Sequence, residues 1–340
     1  MIRVSILGAT GYSGGELLRL LLNRSGVQLN HLTSESSSGQ PISGAHPHLR
    51  GLTNLQFERL NIKKIIQDSD VVFSCYPHTI GINPNTAFYN AGLKVIDLSG
   101  DFRLLSAGLY KSWYKKNHDS PHLLKKAVYG LPELFRAQIR KTTLIANPGC
   151  YATAAILSAA PLLNPLRINP MDIIIDAKSG VSGAGKKLAP MYLFSEVDEN
   201  LQAYSVASHR HQPEIEQTLK HVGGKSVQVV FTPHLVPMNR GILSVLYATL
   251  KVPMSLSQIR THYASFYAKE RFVRILPEGE MPQTKNVSYS NYCDIGISLD
   301  KRTRRVIVLS AIDNLVKGAA GQAIQNMNIL FNRPETEGLL

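Results

Sequence analysis

A glycine-rich turn inside an N-terminal β-α-β pattern constrains this chain more than any other feature. Gly8-Ala9-Thr10-Gly11-Tyr12-Ser13-Gly14 follows an apolar run at residues 3–7, read as a buried strand. It opens the stretch 14–23, in which Leu17, Leu18, Leu21 and Leu22 share one helical face. Glycine lets the backbone turn tightly and approach a diphosphate with no Cβ in the way. A helix starting there aims unpaired N–H groups and its positive end at the phosphates. The spacing is G-x-x-G-x-x-G rather than G-x-G-x-x-G, so its place in the β-α-β unit carries the argument. Gly8, Thr10, Gly11, Tyr12, Ser13 and Gly14 are therefore expected to bind a dinucleotide.

The alternation continues. Residues 27–32 read as a second strand, 33–50 as a polar loop, 62–67 as a short helix and 70–75 as a third strand. A helix near 86–90 leads to a fourth strand at 94–98, which implies a doubly wound parallel sheet. The end of the second strand chooses between NAD and NADP, because an acidic side chain there takes the ribose hydroxyls. The chain has Thr33-Ser34-Glu35-Ser36. The hydroxyls of Thr33, Ser34 and Ser36 suit a 2′-phosphate, with Glu35 read as a solvent-facing loop residue, so NADP(H) is expected. From 143 onward strands come more densely: 143–146, 171–177, 227–231, 242–250, 272–275, 292–298 and 306–312. Helical composition at 151–163 is broken by Pro161, and further helices are expected at 255–267 and 315–330. That pattern predicts an α/β Rossmann-type cofactor domain joined to an α+β domain.

At 340 residues, 44% hydrophobic and 18% charged, the chain suits a two-domain globular enzyme. No apolar run is long enough for a membrane span. Met1-Ile2-Arg3-Val4 enters a strand pattern directly, and three widely spaced cysteines suggest no disulfide framework, so a cytoplasmic setting is expected. No Cys or His spacing resembles a metal site. The net charge of +13 raises nucleic-acid binding, but the basic residues are scattered and no basic helix or aromatic-basic array stands out. A soluble basic enzyme is the simpler reading, and anionic ligands would suit its charge.

Asn147-Pro148-Gly149-Cys150-Tyr151 follows a strand and opens a helix. A thiol at a helix N-terminus is favoured as thiolate, below the free value of about 8.5, and the same N–H groups can hold an oxyanion. Cys150 is thus the candidate nucleophile, while Cys75 and Cys293 read as inert strand residues. A thiol nucleophile needs an acid/base, and His209-Arg210-His211 is a dense cationic cluster that could supply one; a solvated polar turn is the competing reading. Ser179-Gly180-Val181-Ser182-Gly183-Ala184-Gly185 offers glycines and hydroxyls after a strand and could cradle an anion; a flexible hairpin is the alternative. Asp97-Leu98-Ser99-Gly100-Asp101-Phe102-Arg103 places an arginine just after the fourth strand, where ligands gather in such sheets; an Asp101–Arg103 ion pair is the alternative.

These stretches, with Tyr129–Leu134, His209–Glu214, Phe231–Met238 and Asp313–Gly318, run in order along the whole chain. Together they resemble the N-acetyl-gamma-glutamyl-phosphate reductases, arginine-pathway relatives of the aspartate-semialdehyde dehydrogenases. The resemblance implies a phosphorylating aldehyde dehydrogenase that uses NADPH to reduce N-acetyl-glutamyl 5-phosphate through a Cys150 thioester. His209 is its first choice as acid/base and His211 its second. It implies substrate contacts at Arg103 (phosphate), Arg210 (carboxylate), Ser179 and Asn147, and further cofactor contacts at Ser182, Gly183 and Asn314. It also implies a cofactor domain of 1–149 plus 314–340, a catalytic and oligomerisation domain of 150–313, and a homodimer or homotetramer. The lysine-pathway branch, acting on an aminoadipyl phosphate held by an acidic carrier protein, is an alternative that departs from the Asn-Pro-Gly-Cys-Tyr and Ser-Gly-Val-Ser-Gly-Ala-Gly segments kept here. Aspartate-semialdehyde dehydrogenase and a non-enzymatic NADP-sensing regulator are the other rivals; the regulator would need no cysteine at a helix start.

Overall fold

Short β-branched runs build the first sheet. In a computed structural model that describes residues 1–22 and 24–340, the chain divides into two units, Met1–Gly149 with Ala319–Leu340, and Cys150–Gly318. The strands of the first unit are β1 (Ile2–Leu7), β2 (Val27–Thr33), β3 (Val71–Ser74), β4 (Lys94–Asp97), β5 (Val128–Tyr129) and β6 (Leu144–Ala146). All pair in parallel, in the order β2-β1-β3-β4-β6-β5. Val71, Val72, Phe73, Val95, Ile96, Leu144 and Ile145 are buried, as residues of a sheet covered on both faces must be. The order reverses between β1 and β3, which opens a crevice beyond their carboxyl ends.

The first helix spans Tyr12–Leu21, two residues earlier than the leucine periodicity suggested, because extended Gly11 serves as its N-cap. Asn23, assigned to this helix from the sequence, lies outside the described residues. The polar loop after β2 contains a helical turn, Ile42–Ala45, and a 3-10 turn, Pro47–Leu49. His46 anchors this loop: it is buried, and its Nε2 donates to the Ala9 carbonyl at 2.8 Å. A Cβ on Gly15 would lie 2.5 Å from that ring, so the glycine makes room for the histidine. Helices Ala107–Tyr114 and Pro132–Ile139 were not anticipated. The returning helix, Gly321–Leu330, is buried along its whole length.

The second unit is a mixed sheet of β7 (Ile168–Ser179), β8 (Gln202–Ala203), β9 (Val229–Leu235), β10 (Ile242–Leu250), β11 (Val273–Ile275), β12 (Cys293–Asp300) and β13 (Arg305–Ile312). Its order is β11-β12-β13-β10-β7-β9-β8. The register brings three loops to one edge: Ile242 of β10 pairs with both Ser179 and Ile312, and Ser179 pairs with Leu235. Segments 180–185, 236–241 and 313–318 therefore leave the sheet side by side. Helix Cys150–Leu163 packs on β7, β10 and β13 and beside helix His211–Gly223, another element not read from the sequence. Its alanines at 152, 154, 155, 159 and 160 are all buried and let its backbone lie close to its neighbours. Pro161 does not break this helix. Among the described residues, no helix is long and apolar enough to cross a membrane.

Candidate active site

In the first unit the three glycines of the turn do three different jobs. Gly8 has φ +67°, and a Cβ there would sit 2.9 Å from the Cys75 carbonyl oxygen, at the switch point between β1 and β3. Gly14 brings the helix onto the strand, since its Cβ would fall 2.6 Å from the Ala9 carbonyl oxygen. A Cβ on Gly11 would meet nothing nearer than 3.6 Å, so this position stays open to an incoming group. The helix that follows has no side-chain cap and no acidic residue in its first turn. Those N–H groups and the open glycine fit a diphosphate. Thr10 and Ser13 are half-buried and Tyr12 is exposed. At the far end, Thr33 and Ser34 are buried and Ser36 is exposed; Thr33 Oγ1 lies 3.3 Å from the Tyr76 hydroxyl. Glu35 is exposed, and its carboxylate accepts the Leu60 N–H at 3.1 Å, which ties it to the 58–61 segment.

Arg103 and Asn147, expected at the substrate, both also bond to backbone carbonyls. Arg103 is only 5% exposed, and its Nε and Nη2 donate to the carbonyls of Asn147 and Leu98, each at 2.8 Å. Asn147 is fully buried, with its amide oxygen accepting from Asn326 and its amide nitrogen donating to the Ala319 carbonyl. Both groups hold the backbone around the turn. Nearby, burial and the neighbouring charge of Asp101 push the Asp97 carboxyl up from its ordinary range, although Ser99 donates to it through its N–H and hydroxyl.

In the second unit Cys150 is the first residue of its helix and half-buried. Gly318 lies against it: a Cβ at 318 would be 2.8 Å from the Cys150 Cβ, so only glycine fits. Asp313, given no role of its own in the sequence analysis, fixes that approach. Its Oδ1 accepts from the N–H groups of Leu315 and Val316, its Oδ2 from Arg240 and the Tyr289 N–H, and its carbonyl from the Gly318 N–H. A buried Asp-Asn pair closing an apolar strand was the available signal. Asn314 accepts the Gly241 N–H at 2.7 Å and donates to Ser182 Oγ at 2.9 Å, while Ser182 donates to the Asn239 carbonyl. Ser179 Oγ donates to the Gly180 carbonyl, and a Cβ on Gly183 would meet that oxygen at 2.9 Å. The 179–185 segment is thus a built loop rather than a flexible hairpin.

The histidines gather around the residue after the cysteine. Tyr151, Tyr204 and Phe231 surround His209, with ring centroids 5.6, 5.5 and 5.4 Å away, and His211 lies 4.7 Å from it. Tyr151 donates to the His234 carbonyl, and Tyr204 to Tyr151. Burial pushes both phenols well above their ordinary range, and Tyr204 adds to the rise at Tyr151. Burial first, and Arg210 second, lower His209 to about 4. His209 is therefore neutral near pH 7. Its Nδ1 accepts the His211 N–H at 3.1 Å, which leaves the proton on Nε2. Arg210 is exposed.

Residues 3–142 match the family described as semialdehyde dehydrogenase, NAD binding domain, and residues 150–314 match semialdehyde dehydrogenase, dimerisation domain. The chain is 51% identical over 340 residues to an N-acetyl-gamma-glutamyl-phosphate reductase of Halothermothrix orenii, covering 100% of this chain and 98% of that protein. It is 52% identical over 340 residues to the protein of that name from Symbiobacterium thermophilum, covering 100% and 97%. Among solved structures it is similar to aspartate semialdehyde dehydrogenase II from Vibrio cholerae, complexed with ASA, at TM-score 0.73 and 17% identity, covering 98% of each chain. It is also similar to aspartate semialdehyde dehydrogenase with NADP from Candida albicans, at TM-score 0.73 and 16% identity, covering 97% and 98%.

Proposed function

The chain belongs to the N-acetyl-gamma-glutamyl-phosphate reductase family, and from that premise we propose how its own residues carry the reaction. The reaction is the reduction of N-acetyl-glutamyl 5-phosphate to the 5-semialdehyde, with release of phosphate. The observation that carries the reading is Cys150 at the first position of a buried helix, with a glycine pressed against its Cβ.

The turn at Gly8–Gly14 would hold the diphosphate of NADP(H), and Thr33, Ser34 and Ser36 the adenosine end. When bound, NADPH supplies the hydride that reduces the acyl group. Cys150 attacks the acyl-phosphate carbon as thiolate, the carbon–oxygen bond to phosphate breaks, and a thioester remains. Helix N–H groups favour the thiolate and the tetrahedral oxyanion. His209, neutral with its proton on Nε2, is placed in this reading to donate a hydrogen bond to the oxyanion formed after reduction. Collapse of that oxyanion re-forms the carbonyl and expels the Cys150 thiolate, so the step needs no proton from His209. His211 fixes the tautomer through its backbone N–H, and exposed Arg210 is assigned to the substrate carboxylate. The dimerisation-domain match makes self-association part of this reading, as a homodimer or homotetramer.

The test runs the reaction backward, with N-acetylglutamate semialdehyde, inorganic phosphate and NADP⁺, followed at the reduced-nicotinamide absorbance band. Wild-type protein is expected to turn over, and Cys150→Ser to lose at least about a thousandfold while still binding NADP⁺. Wild-type-like turnover by Cys150→Ser would remove the mechanism.

A further inference from the structure

We propose that Asn326, on the returning helix, is a positioning residue that clamps the turn leading to the nucleophile. The proposal rests on Cys150 being that nucleophile.

Two segments of the chain have no place in the mechanism above: the Tyr129–Leu134 motif and the amide-rich face of helix Gly321–Leu330. They read each other. Asn326 is fully buried, and its Nδ2 donates to two acceptors, the Gly130 carbonyl at 2.9 Å and Asn147 Oδ1 at 3.1 Å. Both protons of one amide nitrogen are thereby used, which fixes the rotation of the group. Gly130 follows β5 and Asn147 follows β6, its neighbour in the sheet. Asn326 therefore staples the carboxyl ends of two adjacent strands. Gly130 is glycine for this reason: a Cβ there would lie 2.5 Å from Asn326 Nδ2 and 2.6 Å from Ile145 Cγ2.

The clamp leaves Asn147 no freedom. Its N–H donates to the Asp97 carbonyl at 2.8 Å and its carbonyl accepts from Arg103 at 2.8 Å. Its side-chain oxygen takes Asn326, and its side-chain nitrogen donates to the Ala319 carbonyl at 3.1 Å. Only Pro148 and Gly149 separate this four-bonded residue from Cys150. A proline with fixed φ transmits the setting of Asn147 along the chain. Four bonds, one to each polar group of this fully buried residue, hold it from four sides. They define where the next residues start, and a misplacement of about 1 Å at a reacting atom can cost a hundredfold.

The test compares wild type with Asn326→Leu, which keeps the branching at Cγ and deletes both donors. Four quantities are read: kcat and KM in the reverse assay, NADP⁺ binding, and the pH midpoint of iodoacetamide alkylation at Cys150, mapped by mass spectrometry. We expect kcat to fall about 10- to 100-fold, with KM and NADP⁺ affinity within about threefold and the alkylation midpoint moved up toward a free thiol. Combining Asn326→Leu with Asn147→Ala should add no further loss, because both remove one clamp. If Asn326→Leu is too unstable to assay, Asn326→Asp decides: its carboxylate cannot bridge two oxygens, so kcat should fall and recover as pH is lowered. A folded Asn326→Leu with wild-type kcat and alkylation profile, additive losses in the pair, or an Asn326→Asp at wild-type rate across pH would overturn the proposal. Cys150→Ser runs alongside. If it stays active, the underlying mechanism fails; if it is dead while the Asn326 variants are normal, only the clamp fails.

Discussion

His209 is where burial and chemistry meet in one side chain. Its folded value near 4 lies below the roughly 6.5 of an unfolded histidine. Between those limits the unfolded chain binds the extra proton and the folded chain does not. Stability therefore rises with pH from about 4 to 6.5 and is lost on acidification through that window. His209→Ala should flatten that slope in urea titrations at pH 4.5, 5.5 and 6.5. The same depressed value shapes catalysis. A neutral donor predicts that kcat shows no limb near pH 6.5 arising from this residue. His209→Ala should lower kcat by about 10²–10³, the size of a lost oxyanion donor, and His209→Asn should recover part of it because asparagine also donates. If the Asn and Ala variants are equally poor and the wild type has a limb near 6.5, His209 transfers a proton instead. His211 then shares the damage only through its hold on Nδ1.

At the level of elements, helix Cys150–Leu163 shows why one signal misled. Pro161 lacks the N–H that would reach back to the Leu157 carbonyl, so a break was the natural expectation. The fold supplies the missing donor, and two further ones to nearby carbonyls, from the neighbouring helix, Leu256–Phe266, and its C-cap. Tyr267 donates to the Leu157 carbonyl at 2.6 Å, Tyr263 to Ser158 at 2.5 Å, and His262 Nε2 to Pro161 at 2.5 Å. Tyr267→Phe should strand a buried carbonyl and cost about 1–3 kcal/mol. Thermal melting would register that as a drop of several degrees, and an unchanged melting temperature would contradict the account. Strands were the legible part of this chain, because apolar runs such as Ile242–Leu250 are buried largely with a period of two and need no outside information. Ser255 likewise marks the start of its helix, with a capping box to Gln258. Helices Pro132–Ile139 and His211–Gly223 were illegible because polar residues such as Glu133 and Glu214 are buried in them. In the site, the cysteine at a helix start could be read from the sequence. The direction of a side chain could not: only coordinates show the Asn147 amide bonded to Asn326 and Ala319.

On the scale of the whole molecule, 37 basic against 24 acidic residues give a net charge of +13, and both proposed ligands are polyanions. The basic side chains are spread along the sequence rather than gathered into one run, so their joint effect is a broad positive potential. Such a potential raises the rate at which anions arrive without changing what happens once they are bound. The screening length is about 30 Å at 0.01 M salt and about 8 Å at 0.15 M. Raising sodium chloride from 0.01 to 0.3 M should therefore lower kcat/KM for the acyl phosphate several-fold, while kcat at saturation stays level. A neutral osmolyte at matched osmolarity should leave kcat/KM unchanged. Were kcat to fall in parallel, salt would be acting on the buried ion pairs that hold the site, such as Arg240–Asp313, rather than on encounter. A flat kcat/KM would mean that the excess charge plays no part in capture, and that the buried donors alone set affinity for the anions.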